Sequence, residues 1–171
     1  MEFIELAKSR YSVRSFSTRQ IEEEKLNKIL EVAKISPTAA NKQPQKIYVL
    51  QSEQALQQIS TVCKCIFGAP TVLLIVADEM EAWKNPFSKD YNTSDIDGSI
   101  VCTHLMLQAW ELGIGSCWVG YFDLEQVKKV MGLPDNEKLV AILPIGYPSE
   151  KSKPAPMHYS RKELIQIVKY L

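Results

Sequence analysis

The stretch Asp95–Gly120, DIDGSIVCTHLMLQAWELGIGSCWVG, decides how this chain folds. Between Asp95 and Leu112, the apolar residues Ile96, Ile100, Val101, Leu105, Met106, Leu107, Ala109 and Leu112 cover most of a helical circumference. A helix apolar nearly all round must be buried on nearly every side. A chain of 171 residues can hardly wrap one such helix alone, so a partner subunit is its natural cover. Gly113 supplies the C-terminal cap. Ser116–Val119 then reads as a short strand ending at Gly120, where the missing side chain lets a ligand come close to the backbone. A simple strand-ending turn is the other reading. Asp95-x-Asp97-Gly98 opens like a calcium loop but lacks the later ligands, and on so helical a pattern capping is the expectation.

Working outward, Leu139–Ile145 and Thr71–Ala77 are apolar on both faces, as buried strands are. Lys46–Leu50 alternates like a further strand. Helices are expected at Glu2–Ser9, at Glu22–Ile35 (Leu26, Ile29, Leu30 and Ala33 at helical spacing, stopped by Ser36-Pro37), at Glu53–Cys63 and at Asp123–Met131. Arg161–Tyr170 closes with a helical or strand-like segment. Asp78–Thr93 is polar, with Trp83, Pro86 and Phe87 interspersed, and reads as a loop or lid. Helices and strands in this mixed spacing suggest an α+β or α/β sandwich in one domain over residues 1–171, with no strand order legible.

Twenty basic and twenty acidic residues cancel, which gives no pull toward nucleic acid or anionic lipid. No apolar run is long enough to span a bilayer, and the N-terminus lacks the order of a signal peptide, so a cytoplasmic protein is expected. Four cysteines, Cys63, Cys65, Cys102 and Cys117, are then expected as free thiols. Ligand spacing does not suggest a metal site. Hydrolase signatures such as GxSxG and HExxH are missing. Gly113-Ile-Gly115 fails as a dinucleotide fingerprint, since it follows a helix and meets Trp118 at the third position.

What remains is a set of loops suited to anions and amides. In Arg10–Phe16, an extended backbone would point Arg10, Ser12 and Arg14 the same way, onto a phosphate monoester. Surface salt bridging is the alternative. In Thr38–Pro44, Asn41 and Gln43 offer amides that suit a heterocycle with alternating donors and acceptors, or simply a polar turn.

Taken together these loops resemble the nitroreductase family. Arg10-Tyr-Ser-Val-Arg14 with Phe16 is similar to its RRSxRxF motif, and Ser36–Pro44 to its APSxxNxQPW loop. Asp97-Gly-Ser with Leu105–Gly120 is similar to its central helix and following strand. Leu143–Pro148, a proline-rich tail and Arg161 are similar to its C-terminal end. The resemblance spans essentially the whole chain. It implies a three-layer α/β/α sandwich of α+β class with a mixed, mainly antiparallel sheet, forming an intertwined homodimer with FMN at the interface. It places Arg10, Tyr11, Ser12 and Arg14 at the ribityl phosphate and nearby flavin atoms, with Arg161 completing the phosphate site. Pro37, Thr38, Ala39 and Asn41 would contact the flavin from the other subunit, with Gln43 supporting that loop. The backbone of Val119 and Gly120 would face the reactive edge of the ring, with Trp118 beside it. Hydride would pass from NADH or NADPH to flavin N5 and on to a small-molecule acceptor such as a nitroaromatic or quinone, with no catalytic side chain.

Two departures stand out: Gln45 replaces the family's frequent tryptophan, and Thr61–Cys65 lacks the asparagine-and-lysine pair of larger members, which leaves Lys64 without a role. Two rivals share the motifs. One is a flavin enzyme of different chemistry on the same fold, such as dehalogenation. The other is a non-catalytic flavin-binding sensor or store.

Overall fold

A computed structural model describes residues 2–88 and 90–171. The chain runs through helix α1 (Phe3–Ser9), helix α2 (Glu23–Ile35), strand β1 (Gln45–Leu50), helix α3 (Glu53–Val62), strand β2 (Thr71–Asp78), helix α4 (Ser94–Glu111), strand β3 (Gly115–Ser116), helix α5 (Leu124–Met131), strand β4 (Glu137–Gly146) and the single turn α6 (Leu164–Ile167). The sheet order is β1-β2-β4-β3, and all three strand pairs are antiparallel. The parallel component of the expected mixed sheet is one bridge, Ser12 to Ser116.

The two-residue period of a strand divides the core into two layers. Leu73 and Ile75 of β2 face α2 and α4, where Ile29, Ala33, Val101 and Leu105 meet them. Val72, Leu74 and Val76 face the opposite way, onto Ile59 of α3 and Val127 of α5. On β4 the alternation is interrupted. Ile75 pairs with Ala141 but Val76 pairs with Leu139, so Val140 is the extra residue of a bulge. That extra residue is why Leu139 belongs to one layer and Ala141 to the other. Val140 also stands where a Cβ on Gly98 would come within 2.6 Å, so a glycine lets α4 lie close to the sheet. The architecture is the expected α+β sandwich of three layers.

Helix α4 buries one side fully, at Val101, Cys102, Leu105 and Ala109. Its other side is open: Ile96, Ile100, Thr103 and His104 line a broad hollow of about 500 Å³. None of the described residues covers it. Among its described residues, Asp78–Thr93 contains turns and no helix, held by a bridge between Lys84 and Asn92. The expected closing segment is helical for one turn only, after which Val168 returns to extended backbone. Leu164, Ile165, Ile167, Tyr170 and Leu171 are all exposed. Among the described residues no helix is long and apolar enough to cross a membrane.

Candidate functional site

The Arg10–Phe16 segment lies along β3. Ser12 pairs with Ser116, and the Val13 N–H donates to the Ser116 carbonyl at 2.9 Å. Val13 is fully buried against Gly115, where any Cβ would meet its Cγ2 at 2.6 Å. Turning Val13 inward turns its neighbours Ser12 and Arg14 outward, as an extended backbone requires. Arg10 is placed from the other end. The Trp110 indole donates to Ser9 Oγ at 2.9 Å, and the Tyr11 ring packs edge-on against Trp110 at 5.2 Å, so the segment is fastened to the last turn of α4.

Arg10, Tyr11, Ser12 and Arg14 line a small cavity of about 130 Å³, and the tail brings Arg161 and His158 to its other wall. The Arg161 guanidinium is held by the carbonyls of Met157 and Ser160. Among the described residues none of the three arginines is paired with a carboxylate. Burial, and then the positive charge of Arg161, lower the pKa of Arg10 below its ordinary value. Like charges brought together and partly desolvated are unfavourable until an anion sits between them. Surface salt bridging, the alternative reading of these arginines, is not seen among the described residues, and an anion between them would relieve their mutual repulsion. Cys117, on the adjoining segment, feels the same arginines: burial pushes its thiol up, against the pull of Arg14 and Arg10. All four cysteines are free.

Beyond Cys117, the chain re-pairs with β4 at Val119. The Val119 N–H donates to the Ile142 carbonyl at 2.9 Å, and its own carbonyl accepts from Ile142 at 3.1 Å. Both backbone groups of Val119 are thus engaged, and the free one of the pair is the Gly120 N–H, which has no partner among the described backbone bonds. A Cβ on Gly120 would meet nothing within 4 Å. Gly120 lines a cavity of about 510 Å³ together with Val62, Lys64 and Tyr121. The Trp118 side chain turns to the opposite layer, with α2 and α4.

The Thr38–Gln43 loop stands elsewhere. Ala40, Asn41 and Gln43 all have left-handed backbone, with φ of 48°, 52° and 51°. The loop is knitted internally: Thr38 Oγ1 accepts from the Gln43 N–H, and the Gln43 amide donates to the Asn41 carbonyl. Gln43 thus braces the loop, and the Asn41 side chain is exposed. The Ala39 N–H donates to Asp97 Oδ1 at 2.9 Å, which fixes the loop to the first turn of α4. Pro37 leads into it from α2, after a buried Ser36 that bonds back to the Val32 carbonyl. Gln45 follows it, its amide donating to the Ala33 carbonyl and its Oε1 buried without a partner.

The residues singled out from sequence therefore fall into two groups. Arg10–Arg14 and Arg161 converge, with Trp118–Gly120 on the segment adjoining them. The loop at Pro37–Gln43 is tied to Asp97, whereas the arginine segment is tied to Trp110. The two ties lie thirteen positions apart on the helix, about 20 Å at 1.5 Å per residue. Sequence reasoning missed His158, which lines the arginine cavity but carries no motif, and left open the role of Lys64, which lines the Gly120 cavity. It also misplaced Asp97. Asp97 does not cap its own helix: the residue flanking the start of α4, Thr93, makes no side-chain cap bond, and Asp97 reaches across to Ala39 instead.

The architecture is thus a three-layer α+β sandwich with an antiparallel sheet and an arginine-lined cavity beside its shortest strand. A family model described as the nitroreductase family matches residues 7–67 and 63–147, and the chain belongs to that family. The structure is similar to that of a nitroreductase family protein from Clostridium difficile 630, with a TM-score of 0.93 and 42% identity, covering 99% of this chain and 98% of that one. In sequence it is 29% identical over 157 residues to a protein of Archaeoglobus fulgidus provisionally named NADH dehydrogenase/NAD(P)H nitroreductase, covering 88% of this chain and 87% of the other. It is also 29% identical over 181 residues to the iodotyrosine deiodinase of Thermotoga neapolitana, covering 94% of each.

Proposed function

We propose that the protein is an FMN-dependent oxidoreductase that takes electrons from NADH or NADPH and passes them to a small-molecule acceptor. The observation that carries this reading is the cradle of Arg10, Arg14 and Arg161, with no carboxylate partner among the described residues. A phosphate monoester fits it, because guanidinium groups bind phosphate through paired, charge-assisted hydrogen bonds and Ser12 adds a hydroxyl. Tyr11, whose hydroxyl shares a hydrogen bond with Ser152 at 3.1 Å, fixes the tail that carries Arg161. When bound, FMN would supply hydride transfer at its ring. Gly120 would offer its free N–H to the ring edge, with Val119 anchored to β4 and Trp118 wedged into the other layer to keep that N–H in place. Lys64, whose ammonium donates to the Ser60 carbonyl at the rim of the same cavity, would add positive charge near it.

A homodimer completes the site. Within one chain the Pro37–Gln43 loop is about 20 Å along α4 from the arginines. An antiparallel partner helix, laid on the open face of Ile96, Ile100, Thr103 and His104, would bring the partner's loop to this chain's cradle. Pro37, Thr38, Ala39 and Asn41 would then contact the partner's flavin, with Gln43 bracing them. The exposed apolar tail from Leu164 to Leu171 would find its cover in the same assembly.

The acceptor could be a nitroaromatic, a quinone or a halogenated ring; the name of the Thermotoga relative supports keeping dehalogenation among the chemistries tested. The test is anaerobic. The FMN-loaded protein should lose its yellow absorbance on addition of NADH or NADPH and regain it with an acceptor. Bound flavin that neither nicotinamide bleaches points to a sensor or store, or to other flavin chemistry. A protein that takes up no FMN overturns the reading altogether.

A further inference from the structure

We infer that Asp97 is a positioning residue: it holds the Thr38–Gln43 loop in its flavin-binding shape and joins that loop to the Asp78–Thr93 segment. The inference rests on the FMN reading above for the loop's role, but its structural argument is independent of it. Three non-glycine residues of the loop lie in the left-handed region, two of them adjacent, and such backbone persists only where surroundings over-determine it. The loop's own bonds, Asn41 N–H to the Thr38 carbonyl and Lys42 N–H to the Ala39 carbonyl, close on themselves. Among the described bonds of residues 38–43, the one that reaches another element is Ala39 N–H to Asp97 Oδ1.

Asp97 is 1% exposed, and among the described residues it has no cationic partner. Its charge is met by two donors and by the N-terminal end of an 18-residue helix, where the backbone dipole favours an anion. The second donor is Thr93 Oγ1, at 2.8 Å from Oδ2. Thr93 is the last residue of the loop segment: its N–H donates to the Trp83 carbonyl at 3.0 Å, closing that segment on itself. One carboxylate thus takes a bond from each of two loops, so a shift in either is felt by the other.

The test compares Asp97→Ala, Asp97→Asn and Thr93→Val. Asparagine can keep both contacts, its carbonyl accepting from Ala39 and its amide donating to a turned Thr93 hydroxyl. In the flavin-free protein, hydrogen exchange of the Ala39–Gln43 amides should quicken at least tenfold in Asp97→Ala and stay near wild type in Asp97→Asn. FMN affinity, read by quenching of flavin fluorescence, should fall about 10- to 100-fold in Asp97→Ala and within about threefold in Asp97→Asn. Thr93→Val, which removes only the second donor, should quicken exchange of the Ala39–Gln43 amides by less than Asp97→Ala does. A purely structural role would lower the melting temperature of Asp97→Ala without altering loop exchange or FMN affinity, and that result overturns the proposal, as does an Asp97→Asn variant no better than alanine. If alanine prevents folding, Asp97→Ser, whose side chain is too short to reach both loops, replaces it in the same comparison: loop exchange and FMN affinity equal to those of Asp97→Asn refute the tie. Wild-type protein that binds no FMN but shows the loop exchange pattern overturns the FMN reading and leaves Asp97 as the loop's anchor.

Discussion

At Arg10 the proposed phosphate site can be tested by a single residue. Its guanidinium is partly desolvated next to Arg161, an arrangement that is unfavourable by itself and favourable once a dianion lies between them. Charge-assisted hydrogen bonds of this kind contribute about 1.5–3 kcal/mol each. Arg10→Ala and Arg161→Ala should therefore each weaken FMN binding by roughly 10- to 100-fold. The phosphate dependence gives the sharper measurement: affinity for riboflavin, which lacks the phosphate, should hardly move in either variant. An equal loss for both ligands would place these arginines at the ring. The pattern Arg10-x-Ser12-x-Arg14 was legible because extended backbone has a period of two and the residues between are apolar or aromatic. Arg161 came only from the family resemblance, and His158 from neither, because nothing in local sequence says that the tail folds back to residue 10.

At the scale of elements, the end of the sheet is held by a polar network that crosses three strands. Lys46 of β1 donates to Asp78 of β2 at 3.1 Å and to Glu137 of β4 at 2.9 Å, while Tyr48 donates to the other oxygen of Glu137. The hydrogen bond from Asn136, and then that from Lys46, hold the Asp78 carboxyl below the usual carboxylate range despite its burial. A depressed folded-state value contributes stability above the unfolded value of about 3.9 and loses it as pH falls through the folded one. The wild-type melting temperature should therefore be insensitive to Asp78 from neutral pH to about 5 and decline below about 4. Lys46→Met leaves two buried carboxylates facing each other without their cation. It should lower the melting temperature at pH 7, and the deficit against wild type should shrink on acidification toward pH 4, as calorimetry across that range would record. A deficit independent of pH would mean that Lys46 acts through packing alone. Strand identity was readable from the apolar runs. This network was not, because Lys46, Asp78 and Glu137 lie 32 to 91 residues apart and meet only through strand order.

For the whole molecule, the open side of α4 is the decisive surface. Ile100 stands in the middle of it, and a charge there opposes burial against a second copy. Wild-type protein should sediment at twice 19.4 kDa, and Ile100→Glu near the monomer mass. Because the loop and the cradle would come from different chains, Ile100→Glu should lose FMN together with the dimer, even though it touches neither. A monomeric variant that keeps full flavin affinity would show that one chain suffices. Surface helix substitutions of this kind leave the core untouched, so its secondary structure by circular dichroism should match wild type.

Much of the protein was determined by sequence alone: which segments are helices and which strands, that the central helix is apolar on more sides than one chain covers, and that Arg10, Ser12 and Arg14 share a face. These follow from short-range periodicity and turn chemistry, which act over a few residues. Tertiary structure decided the rest. It set the strand order, placed the Val140 bulge that assigns β4 to its two layers, engaged Val119 so that Gly120 carries the free N–H, and made Asp97 a tie to Ala39 where capping was expected. It also split the candidate residues along the length of α4. Each of these depends on which distant segments pack together, and that is set by burial over the whole chain, to which no local pattern points.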